Sequence, residues 1–101
     1  MTTKNIDVAR GILDSIGGAL RLNVALGAKE FKAAEYHVEF KIWPIRGINT
    51  VRIYLSALGL FDIEFWHIGT TDASCYKSAS RVQINENGLK SAMKREVGYF
   101  L

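Results

Sequence analysis

The sequence predicts an α+β fold, in which an antiparallel β-meander of three to four strands is flanked by an N-terminal and a C-terminal helix. Between residues 36 and 68, apolar and polar residues alternate in three successive runs. A period of two is the spacing of a strand with one buried and one exposed face. The flanking segments instead repeat apolar residues at every third or fourth position, as amphipathic helices do. The 101 residues are predicted to form one domain, residues 1–101, around a single core.

The first helix is predicted over residues 5–16. Asn5 suits an N-cap, and Asp7 places a negative charge in the first turn, where the helix dipole favours it. The apolar stripe is formed by Val8, Ala9, Ile12, Leu13 and Ile16. Gly17 and Gly18 end the helix, because glycine accepts the left-handed conformation found at helix ends.

Residues 19–26 fit two structures. Leu20, Leu22, Val24 and Leu26 alternate as in a strand, whereas Ala19, Leu22 and Leu26 would line a short helix.

The three strands of the meander have inward-facing residues at Tyr36, Val38, Phe40 and Ile42, at Val51, Ile53 and Leu55, and at Phe61, Ile63 and Phe65. Residues 43–49 read as a loop because they contain Pro, Gly and Asn. Residues 56–60 are too few for a parallel crossover, so they predict a hairpin.

Residues 76–84 predict a fourth strand, with Ser80, Val82 and Ile84 on one parity. Asn85 or Asn87 then caps the C-terminal helix. Its inward stripe is Leu89, Ala92, Met93 and Val97.

Composition limits the classes of protein. Cys75 is the only cysteine, so no internal disulfide can form. The N-terminus lacks the apolar core of a signal peptide, and no apolar run is long enough for a membrane span. We therefore expect a protein of the cytoplasm, without membrane association. The net charge of +3 is a mild basic bias.

Several short strings, taken in order, resemble small uncharacterised proteins carried by bacteriophages, prophages and other mobile elements. These strings are residues 12–18, 27–31, 49–53, 61–65 and 97–101. The resemblance implies the cytoplasm of a bacterial host, and it favours a short helical or irregular segment for residues 19–26. It transfers no catalytic residue.

The sequence carries no recognisable catalytic or metal-binding motif. His37, His67 and Cys75 are not within four residues of one another, so we expect no metal site and no cofactor. Cys75, His67 and Asp72 could be drawn as nucleophile, base and orienting group, but residues 70–74 also have the composition of an ordinary polar turn. We expect a protein that is not an enzyme.

The residues that alternate with the inward-facing ones along the strands form the candidate binding surface. It collects the following residues: His37, Glu39, Lys41, Trp43, Arg52, Tyr54, Asp62, Glu64 and Trp66. Trp, Tyr and Arg dominate the energetics of protein interfaces, so Trp43, Arg52, Tyr54 and Trp66 predict contact with a protein partner. Residues 43–48 and 58–60 are apolar loops that a homodimer or another protein could bury.

The alternative is a single-stranded nucleic-acid-binding protein. Aromatic side chains on a sheet can stack unpaired bases, and Lys90, Lys94 and Arg95 would then contact phosphates. Glu39, Asp62 and Glu64 on the same face oppose this alternative, because carboxylates repel phosphate. A solvated helix face is the simpler explanation of the three cations.

Overall fold

The computed structural model describes residues 3–69 and 75–99 and confirms the α+β fold. In chain order the elements are α1 (Thr3–Asp14), α2 (Ala19–Leu26), β1 (Lys29–Ala34), β2 (His37–Ile45), β3 (Ile48–Leu55), β4 (Phe61–Ile68), β5 (Cys75–Ile84) and α3 (Glu86–Val97). The strands form one antiparallel sheet in the order β1-β2-β3-β4-β5. The meander therefore has five strands, and the prediction of three to four was too low.

The missed strand is β1, at one edge of the sheet. Its register against β2 shifts between Lys29 and Lys32, and Glu30 within the shift has a φ of 54°. The shift interrupts the alternation of faces, because a bulge places two residues opposite one. Only Phe31 and Ala33 of β1 lie beside inward-facing residues of β2, Phe40 and Val38. A period of two is therefore not visible in this part of the sequence.

The N-terminal segments are helical as predicted, but the boundaries of α1 differ from the predicted ones. α1 begins at Thr3, so Asn5 lies inside the first turn and is not the N-cap. Gly17 and Gly18 have positive φ, which confirms the end of the helix there. Residues 19–26 are helical, with Gly27 as a left-handed C-cap.

The first hairpin turns are tighter than predicted. Tyr36 was expected to face the core, but it lies in the β1–β2 turn with a φ of 62° and is exposed. The loop predicted at residues 43–49 shrinks to Arg46 and Gly47, both with positive φ as a tight hairpin turn requires. Pro44 lies inside β2 where the register with β3 shifts, a position that tolerates a missing amide hydrogen.

The C-terminal elements confirm the last strand and identify the helix cap. Two register shifts against β4 break the alternation of β5, so Val82 is exposed while Ile84 packs on the core. The Asn85 side chain accepts a hydrogen bond from the Gly88 amide at 2.8 Å. Asn85 is therefore the N-cap of α3.

The helices pack on one face of the sheet. Phe40, Ile53 and Phe65 are fully buried on this inner face, in one cluster with side chains from all three helices. The Tyr99 hydroxyl donates a hydrogen bond to the Ile16 carbonyl at 2.6 Å. This bond joins the segment after α3 to the segment after α1. None of the helices among the described residues has the length and apolar character needed to cross a membrane.

Candidate binding face of the sheet

The face of the sheet opposite the helices carries three of the four residues predicted to bind a protein partner. We call it the outer face and define it by the outward side chains of β2, β3 and β4: His37, Glu39, Lys41, Arg52, Tyr54, Asp62, Glu64 and Trp66. Antiparallel pairing aligns these side chains in rows, because directly opposed residues point to the same side. One row joins Glu39, Arg52 and Glu64, and the next joins His37, Tyr54 and Asp62.

Glu64 is the centre of the polar contacts on the outer face. Its Oε1 accepts a hydrogen bond from the Trp66 indole Nε1 at 3.1 Å and from the Tyr54 hydroxyl at 3.3 Å. Its Oε2 lies 3.5 Å from the Lys77 Nζ of β5. Both aromatic side chains are thus held by one carboxylate, which fixes their orientation.

Arg52 connects this centre to the neighbouring strand. It forms an ion pair with Glu39, and its guanidinium carbon lies 4.9 Å from the centroid of the Trp66 ring. The hydrogen bond to Glu39 raises the pKa of the guanidinium above its ordinary value. Arg52 lies opposite both Glu39 and Glu64, but its ion pair is with Glu39.

Tyr54 is partly enclosed by its neighbours. Its ring stacks on His37 with centroids 4.9 Å apart. Burial raises the pKa of Tyr54, and the nearby charge of Glu64 raises it further. The hydroxyl therefore stays protonated and remains a hydrogen-bond donor throughout the physiological pH range.

Charge is balanced across the middle of the outer face. Three carboxylates, Glu39, Asp62 and Glu64, lie among three cations, Lys41, Arg52 and Lys77. At the margin, Lys29 and Lys32 of β1 lie opposite Lys41 and Glu39, and Glu30 forms an ion pair with Lys41, so β1 adds one net positive charge. This pattern lacks the continuous positive potential with which nucleic-acid sites attract phosphate.

Trp43, the fourth predicted binding residue, is placed apart from the other three. Its indole packs on Gly27, the C-cap of α2, and 61% of the residue remains exposed. It lies beyond the row that contains Lys41, Thr50 and Trp66. The structure thus brings together Arg52, Tyr54 and Trp66 but leaves Trp43 at the end of β2.

The candidate phosphate contacts lie on the other layer of the molecule. Lys90, Lys94 and Arg95 belong to α3, whose Leu89, Met93 and Val97 are buried against the inner face of the sheet. A single strand that stacked on Tyr54 and Trp66 would have to pass around the sheet edge to reach these cations. The two halves of the nucleic-acid alternative are therefore separated.

Of the residues considered as a catalytic set, the two that the structure describes do not lie together. His67 is opposite Tyr76 and stacks on its ring at 5.0 Å, whereas Cys75 is opposite Ile68. Neighbouring residues of a strand point to opposite faces, so the Cys75 and His67 side chains diverge. Asp72 lies outside the described residues. Within the described ranges, no group of three His, Cys, Asp or Glu side chains could hold a metal ion.

Sequence reasoning did not identify Glu64 as the centre of the face, nor Lys77 as its partner. The spacing of Glu64 and Trp66 was a usable signal, since residues i and i+2 of a strand share a face. The contact with Lys77 depends on the register of β4 with β5, which contains two shifts. Alternation along one strand cannot predict that register.

Comparison with protein-family models, with curated proteins and with solved structures gives no match to this chain.

Proposed function

We propose that this chain is an accessory protein of a phage or other mobile element that acts in the bacterial cytoplasm by non-catalytic binding to a host or phage protein. The observation that supports it most is the cluster of Arg52, Tyr54 and Trp66 around Glu64 and Glu39. This cluster lies on the side of the sheet away from the helices. The genomic setting rests on the resemblance of the sequence alone.

The character of the cluster favours a protein partner over nucleic acid. Interface centres are rich in Trp, Tyr and Arg that are held rigidly before binding, because an ordered side chain loses less entropy on association. Here Trp66 and Tyr54 are oriented by hydrogen bonds to one carboxylate. The same carboxylate would repel a phosphate backbone.

The test is affinity purification from a lysate of the bacterial host, with the purified chain as bait. We expect one or a few proteins to be retained by the native chain and lost from the Arg52→Ala and Tyr54→Ala variants. Val24→Ala is the matched control, because Val24 is 72% exposed on α2 in the other layer. Equal retention by all variants, or no retained protein, would refute the proposal.

Nuclease treatment of the lysate separates the alternative function. If retention disappears after nuclease treatment, and if the complex with oligonucleotides weakens steeply with salt, the chain binds nucleic acid.

A further inference from the structure

An apolar groove lies between α1 and the edge strand β1, away from the outer face. Its volume is about 430 Å³. It is lined mainly by Ile6, Ala9, Leu13, Ala19, Phe31 and Val38. Ile6 is 42% exposed and Phe31 is 36% exposed, so large apolar side chains at its margin contact solvent. These side chains make the groove a partly solvent-exposed apolar surface that another molecule can cover.

The groove is bordered by two opposite charges on α1. Arg10 and Asp14 both line it and both are exposed. They are one helical turn apart on the same side of α1. The four ion pairs formed among the described residues involve neither of them.

These charges are complementary to a second copy of the same surface. A two-fold axis that crosses α1 midway between Arg10 and Asp14 makes the two α1 helices antiparallel. Each Arg10 then faces the Asp14 of the other copy, as an isologous interface requires. The same rotation carries Ile6 of each copy towards the Ala19 end of the other copy's groove.

We propose that a second copy of this chain covers the groove and forms a two-fold symmetric dimer through α1 and the β1 edge. The surface is distinct from the outer face, so the dimer does not depend on the proposed function. The apolar area is modest compared with the roughly 800 Å² per partner of a standard interface. We therefore expect a dissociation constant on the order of micromolar.

Sedimentation velocity of the full chain tests for the dimer. Concentrations between about 1 and 500 µM bracket the expected micromolar dissociation constant. We expect a concentration-dependent change from monomer to dimer. The proposed dimer contains two contacts between position 10 of one copy and position 14 of the other. Arg10→Glu or Asp14→Arg puts like charges at both contacts, so each variant should weaken dimerisation by about tenfold. The double variant Arg10→Glu/Asp14→Arg exchanges the charges and should restore the native dissociation constant.

Arg46→Glu is the matched control, since it makes the same charge change at an exposed position in the β2–β3 turn. It should leave dimerisation unchanged. A chain that stays monomeric at the highest concentration would overturn the proposal, even if the groove then bound an apolar dye or a peptide. A dimer that the charge exchange fails to restore would also overturn it.

Discussion

The indole of Trp43 lies on the backbone of Gly27, so closely that a Cβ built on Gly27 would be 2.3 Å from the Trp43 Cε2. Gly27 also has a φ of 67°, in the left-handed region that side chains rarely adopt. The contact joins the end of α2 to the end of β2. Two separate physical requirements therefore select glycine at this position.

Gly27→Ala should destabilise the protein more than the same change at the other left-handed helix cap. Gly98 caps α3 with a φ of 68°, but a Cβ there meets nothing within 4 Å. Gly98→Ala should cost about 1 kcal/mol for backbone strain alone. Gly27→Ala should cost about 3 kcal/mol, because the indole must also move. Urea unfolding of both variants measures the difference.

The double variant Gly27→Ala/Trp43→Ala provides the control for this prediction. Without the indole, alanine at position 27 should cost only the backbone strain, measured as the difference in unfolding free energy between Trp43→Ala and the double variant. Equal destabilisation by Gly27→Ala and Gly98→Ala would show that the indole contact has no energetic effect.

Asn85→Ala should lower the free energy of unfolding by about 1 kcal/mol, the usual effect of removing a helix N-cap. The Asn85 side chain accepts from the Gly88 amide, which has no partner inside the first turn of α3. Asn87→Ala is the control, since Asn87 is exposed within the helix and should change stability little. The prediction fails if thermal or urea unfolding gives the two variants the same stability.

Glu64→Gln should lower the pKa of Tyr54 towards its ordinary value. Burial is the larger cause of the raised pKa and remains in the variant, whereas the repulsion between the carboxylate and a phenolate is removed. The pKa of Tyr99 is raised by burial, so it should not change. Titration of labelled tyrosines by carbon-13 NMR measures both in one sample. An unchanged Tyr54 pKa would contradict the Glu64 contact.

Alkaline pH should destabilise the protein partly through Tyr54 and Tyr99. Both have a folded-state pKa above that of the unfolded chain. Their contribution to stability is therefore complete below about pH 10 and is lost as the pH rises through the folded pKa values. The Tyr54→Phe/Tyr99→Phe variant should lose less stability than the native chain between pH 8 and pH 11 in urea unfolding. Parallel loss in both proteins would exclude the tyrosines.

The parts of the fold that follow local periodicity could be predicted from the sequence. Val38, Phe40, Val51 and Ile63 alternate without interruption, and all are buried. β1 could not be predicted in this way, because the register shift near Glu30 interrupts its pattern and an edge strand buries little. Tyr36 was misassigned because apolar alternation continued into a turn whose positive φ the sequence does not show.

The candidate site was predictable as a set of residue types but not as a network. Parity alone placed Arg52, Tyr54 and Trp66 on one face. The contact of Lys77 with Glu64 depended on the shifted register of β4 with β5. The ion pair of Arg52 with Glu39 could not be predicted from register either, because Arg52 lies opposite both Glu39 and Glu64. Trp43 shared the parity of the face, but the irregular end of β2 places it on Gly27.

The most direct test of the outer face as a protein-binding surface is site-specific photo-crosslinking in cells of the proposed bacterial host. A benzophenone amino acid would replace Lys41, which lies on the outer face beside the cluster, in one variant and the exposed Val24 of α2 in the other. We predict a discrete, nuclease-resistant and protease-sensitive adduct from position 41 and none from position 24. No adduct from position 41, the same adduct from both positions, or an adduct removed by nuclease would contradict protein binding through this face.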